Sequence, residues 1–77
     1  MQLNQLRAEV LLGHFGEAVL APASGANGWV LRARDGQDAW ITLTDDHGSD
    51  LIYHRLDSAT ALARDLGFRH IRVDENF

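Results

Sequence analysis

Nothing covalent can staple this chain together, because it contains no cysteine, and its 77 residues leave room for a single hydrophobic core. A domain of that size buries roughly 60% of the surface its unfolded chain exposes, so it is marginally stable unless idealised or joined by a second subunit. One domain spanning residues 1–77 is the expectation, with a homodimer as an open route to further burial. The apolar share of 45% and the charged share of 23% are those of a folded protein rather than a disordered one.

The signals agree best over residues 56–67. Ala59, Leu62, Ala63 and Leu66 form one stripe at helical spacing, Asp57 is placed as N-cap, and Gly67 stands at the left-handed end. Phe68 follows where it can fold back on the last turn. Leu3, Leu6, Val10 and Leu11 recur at spacings of three and four, predicting a short N-terminal helix ended by Gly13 and Gly16, the alternative being that residues 9–12 begin a strand running toward Leu20. Residues 17–23 read as a strand that Pro22 assigns to a sheet edge, since proline cannot donate to a ladder. Residues 24–28 read as a connector.

Residues 29–34 and 39–44 are β-rich and flank Asp35-Gly36, the signal for a two-residue type I′ hairpin with positive φ at both turn positions. That turn pairs Arg34 with Gln37, Leu31 with Trp40, Val30 with Ile41 and Trp29 with Thr42. Residues 45–50 are a polar loop and 51–55 a third strand, with Leu43 beside Ile52 and Thr42 beside Tyr53; residues 68–73 read as the last strand. The order α-β-β-β-(β)-α-β predicts an α+β two-layer sandwich, with helix packed on an antiparallel or mixed sheet of four or five strands.

In this register Val30, Ile41, Leu43 and Ile52 line one face, suited to the stripe of the second helix. Trp29, Leu31, Trp40, Leu51 and Tyr53 line the other, with Arg55 opposite Trp40. Tryptophan, tyrosine and arginine are enriched at interface hot spots, which makes Trp29, Leu31, Trp40, Tyr53 and Arg55 the candidate protein-binding residues. The competing expectation is that the N-terminal helix covers this face and makes its aromatics core.

The formal net charge is −4, with 11 acidic residues against seven basic ones, all arginine, which disfavours sequence-independent phosphate binding. Asn4, Gln5, Arg7 and Glu9 interrupt the first residues, so they predict neither a leader nor a membrane span, and a cytoplasmic location is expected. Asp45, Asp46, His47, Ser49, Asp50 and His54 bring metal donors together without calcium-loop spacing or a His-Glu-x-x-His pair. They read as a solvated loop. His14, His47, His54 and His70 are the available neutral-pH acid–base groups, and none of Ser24, Ser49 and Ser58 lies in a nucleophile elbow. Residues 24–28 lack the Gly-x-x-x-x-Gly-Lys pattern of a phosphate loop. Arg64, Arg69, His70 and Arg72 form a basic cluster that Asp65, Asp74 and Glu75 largely cancel. The helix–strands–helix order is shared with double-stranded-RNA-binding domains, but the second helix lacks their lysine cluster. No cofactor is expected.

Gly28-Trp29-Val30-Leu31, Arg34-Asp35-Gly36, Tyr53-His54-Arg55-Leu56-Asp57 and Leu66-Gly67-Phe68 together resemble short accessory proteins of bacterial plasmids, integrative elements and phages. The resemblance covers about half the chain. It implies a small non-catalytic protein that binds another protein, as an inhibitor or regulatory subunit; small acidic inhibitors of CRISPR effector complexes belong to that group. A protein-binding module is thus the first expectation. A metal-dependent or His/Asp enzyme built on residues 45–54 is the second, and a nucleic-acid binder built on residues 64–72 the third.

Overall fold

A computed structural model describes residues 1–23 and 27–74, so Ser24, Gly25 and Ala26 of the expected connector lie outside the described residues. The elements are α1 (Leu3–Leu11), β1 (Phe15–Pro22), β2 (Trp29–Asp35), β3 (Trp40–Thr42), α2 (Leu56–Leu66) and β4 (His70–Val73). The strands form one sheet in the order β3-β2-β1-β4, antiparallel except for β1 beside β4. That parallel pair needs a crossover, which α2 supplies. The fold is α+β with a mixed sheet, in the expected element order.

Three local expectations are corrected. β1 is central, not an edge: Pro22 is its last residue, and β4 pairs only with residues 17–20, so no ladder bond to β4 is asked of proline. Residues 51–55 form no strand. Instead Tyr53 makes one antiparallel bridge with Trp29, its N–H donating to the Trp29 carbonyl (2.8 Å) and its carbonyl accepting from the Trp29 N–H (2.7 Å). At α2 the N-cap is Arg55, and Asp57 falls inside the first turn, where its carboxylate accepts from the Ser58 N–H at 2.9 Å and faces the positive end of the helix dipole.

The far end of α2 follows the sequence. Gly67 has φ +102°, its N–H donates to the Arg64 carbonyl (3.0 Å), and the Phe68 N–H reaches the Ala63 carbonyl (3.2 Å). Those two bonds make a Schellman motif, and Phe68 is buried behind it.

The largest correction concerns the hairpin. Arg34 pairs with Trp40, Ala33 with Ile41 and Arg32 with Thr42, while the Leu43 N–H donates to the Leu31 carbonyl. Residues 36–38 form the loop: a turn closes with the Asp38 N–H on the Asp35 carbonyl (3.2 Å), and Asp38, not Gly36, takes positive φ (+64°). The Asp35 carboxylate fixes this geometry by accepting from the Gln37 and Ala39 amides at 2.8 and 2.9 Å. A type I turn followed by one left-handed residue is the common three-residue hairpin. Relative to the expected turn the register moves by three residues, an odd number, and every side chain of β3 changes face relative to β2.

In the resulting arrangement Ala18, Leu20, Leu31, Ala33 and Leu43 share one face, and α1 and α2 both pack on it through Leu6, Val10, Ala59, Ala63 and Leu66. An ion pair, Arg7 with Asp65 at 3.2 Å, joins the helices at the surface. One apolar face needs one cover, and the two helices together provide it. None of the helices in the described residues is long and apolar enough to cross a membrane.

Candidate functional site

The same register defines what the helices leave bare. Along β2 the outward residues are Val30, Arg32 and Arg34; in register across the sheet stand Glu17, Val19 and Ala21 of β1, Trp40 and Thr42 of β3, and His70 and Arg72 of β4. Two cross-strand rows result. One runs Arg72, Val19, Arg32, Thr42; the next runs His70, Glu17, Arg34, Trp40.

Trp40 is the most exposed aromatic ring on this face, at 38%. The guanidinium carbons of Arg32 and Arg34 lie 5.7 and 5.8 Å from its ring centroid. Contacts of that kind are worth about 0.5–1 kcal/mol each when exposed, enough to orient the arginines without removing them from water. Val19 and Val30 form an apolar floor, only 5% and 8% exposed although no helix covers them. Arg32 and Arg72 flank Val19 in register on the two neighbouring strands.

Glu17 is the acidic side chain of the two rows. Its carboxylate meets Arg34 at 2.8 Å and Arg72 at 3.7 Å and is 18% exposed; Arg34 also lies 3.8 Å from Asp38 in the adjoining loop. Arg32 has no carboxylate partner among the described ion pairs, and the two rows themselves carry three arginines against Glu17, with Asp38 of the adjoining loop beside Arg34.

The five sequence-predicted residues are not brought together. Leu31 is fully buried in the core, Trp29 and Tyr53 are half-buried against that core, and Arg55 is exposed at the start of α2, 3.2 Å from Asp57. Only Trp40 stands on the open face. Burial raises the Tyr53 hydroxyl above its ordinary pKa. Arg32 and Arg34 were missed by a register that put them opposite other residues, and Arg72 was grouped with the helix-end arginines. The alternations Leu31-Arg32-Ala33-Arg34 and Ile71-Arg72-Val73 carry the signal, because period two separates apolar from basic faces whatever the turn.

The acidic loop has a structural use. The Asp45 carboxylate accepts from the His47 and Ser49 amides at 2.8 and 3.1 Å, the Gly48 N–H closes on the Asp45 carbonyl, and Gly48 takes positive φ (+83°). This repeats the Asp35 loop bond for bond. Among the described residues no three His, Asp or Glu side chains converge as metal ligands. His54 Nδ1–H donates to the Asn27 carbonyl at 2.8 Å, and His14 pairs with Glu9 at the surface. A groove of about 620 Å³ is lined by Glu9, His14, Phe15, Asp35, Gln37 and Ile41 and shares no residue with the Arg–Trp rows. Comparison with protein-family models, with curated proteins and with solved structures finds no match to this chain.

Proposed function

We propose that this chain is a non-catalytic protein-binding module, an accessory or regulatory part that works by occupying a partner, and that its contact surface is the open sheet face around Trp40. The observation that carries this reading is an exposed tryptophan framed by two arginines over an apolar floor, on the one sheet face that neither helix covers. These are the residue types that dominate interface energetics. The resemblance to accessory proteins of mobile elements points the same way.

Site-specific photocrosslinking tests it. A benzophenone side chain placed at Thr42, on the open face, is expected to capture a protein from the native host in a yield that falls sharply in Trp40→Ala. The same group at Ala61, exposed on α2, serves as the control. Capture only from position 61, or capture at 42 indifferent to Trp40, refutes the reading.

A further inference from the structure

We infer that the open face receives an extended acidic segment of the partner protein, laid across the two rows so that its carboxylates meet Arg32, Arg34 and Arg72. This rests on the protein-binding reading and names the chemistry of the partner. Charge complementarity is the first argument. Three of the chain's seven arginines stand on these rows against one glutamate, and with Asp38 of the adjoining loop counted the local balance is still positive, while four arginines and nine acidic residues make up the rest of the chain. A positive face on a negative molecule orients an approaching anion toward that face alone.

The spacing is the second argument. Arg72 and Arg32 lie on either side of Val19 in one row, two strand separations apart, about 10 Å. Carboxylates two residues apart on an extended segment are separated by about 7 Å, within the reach of flexible guanidinium side chains to both. The residue between them faces away from the sheet, and the methylene stems of the two carboxylate-bearing side chains cross over Val19.

The same features disfavour the other occupants. Single-stranded nucleic acid binds successive bases on successive aromatic rings in a basic groove, whereas the two rings of these rows, His70 and Trp40, stand at opposite ends with Glu17 between them. A second copy joined antiparallel along the free edge of β4, in the register centred on Arg72, would set the two Arg72 guanidiniums directly opposite each other, and like charges so placed are destabilising.

The test uses the full chain and a fluorescein-labelled decapeptide alternating glutamate with valine. Saturable binding is expected, weakened about tenfold or more in Arg32→Glu and in Arg72→Glu, unchanged in Arg64→Glu on α2, and abolished when glutamine replaces glutamate in the peptide. Arg32→Gln, which removes charge without reversing it, guards against a folding defect and is expected to weaken binding less than Arg32→Glu, with an unaltered melting curve. The inference is overturned by absent binding, by equal loss in Arg64→Glu, or by a mixed-sequence single-stranded oligonucleotide binding more tightly through the same arginines. Sedimentation showing a dimer that Arg32→Glu dissociates overturns it in favour of a second copy. Crosslinked capture at Thr42 of a partner with no acidic segment sinks this inference alone and leaves the protein-binding reading standing.

Discussion

Gly36 and Gly67 were both read as left-handed positions, and they separate cleanly. Gly67 has φ +102° and closes α2, with Val10 Cγ1 3.5 Å from where a Cβ would lie, an ordinary contact. The cost of Gly67→Ala is therefore conformational, about 1 kcal/mol. Gly36 has no such φ and open space around it, so Gly36→Ala is expected to leave stability within about 0.5 kcal/mol of the parent. Parallel thermal melts check the pair, and an equal loss in both would restore the two-residue turn. Tyr53 supplies a pH dependence. Its hydroxyl is raised above 10.0 by burial, so the native state holds the proton longer than the unfolded chain does. Its contribution is fully present below the unfolded value of about 10 and is lost as pH rises through the folded value. Because Tyr53 is the chain's single tyrosine, alkaline phenolate absorbance reports it alone, and Tyr53→Phe is expected to flatten that limb of the pH–stability curve.

At the scale of elements, what was legible is what local chemistry decides. The stripe and glycine terminator of α2 needed no tertiary information, and the helix end matches to the hydrogen bond. The hairpin was legible as a hairpin but not in register. Asp-Gly favours a two-residue turn, yet the Asp35 carboxylate captures two later amides, and a side-chain bond of that kind is invisible to a residue-pair rule. Since three is odd, that one misreading exchanged the faces and hid the Arg–Trp rows. Residues 51–55 show a different limit, for β-rich composition cannot tell a strand from a single bridge. There the chain passes so close to Gly28 that a Cβ would stand 2.5 Å from Ile52 Cγ2 and 2.8 Å from the Tyr53 carbonyl, at φ +152°. That carbonyl accepts the Trp29 N–H, so Gly28→Ala cannot be relieved by a side-chain rotation alone. A loss of about 1–3 kcal/mol is expected, read as a lower denaturant midpoint, with Trp29 fluorescence in a Trp40→Phe background reporting the opened bridge.

The molecule measures 32 × 26 × 22 Å, and among the described residues both helices cover one sheet face and neither covers the other. The uncovered face carries Arg32, Arg34 and Arg72, whose charged heads keep it polar around the nearly buried Val19. Glu17 is the counterweight. By drawing Arg34 and Arg72 together it reduces repulsion among three cations in a free molecule, and by the same charge it opposes any acidic segment that lies over them. Stability and binding therefore pull in opposite directions at this residue. Glu17→Gln is expected to lower stability by about 1 kcal/mol, because Glu17 is mostly buried but its partners Arg34 and Arg72 are exposed enough to return to water. The same substitution is expected to tighten the glutamate–valine peptide by about two- to fivefold at low salt, the effect of deleting one like charge a few ångströms from the bound carboxylates. The gain should shrink as ionic strength rises, since the Debye length falls to about 8 Å near 0.15 M. Melting curves and peptide titrations at two salt concentrations measure both signs on one variant. Weaker binding in Glu17→Gln would mean that the carboxylate holds Arg34 and Arg72 in place for their partner rather than opposing it.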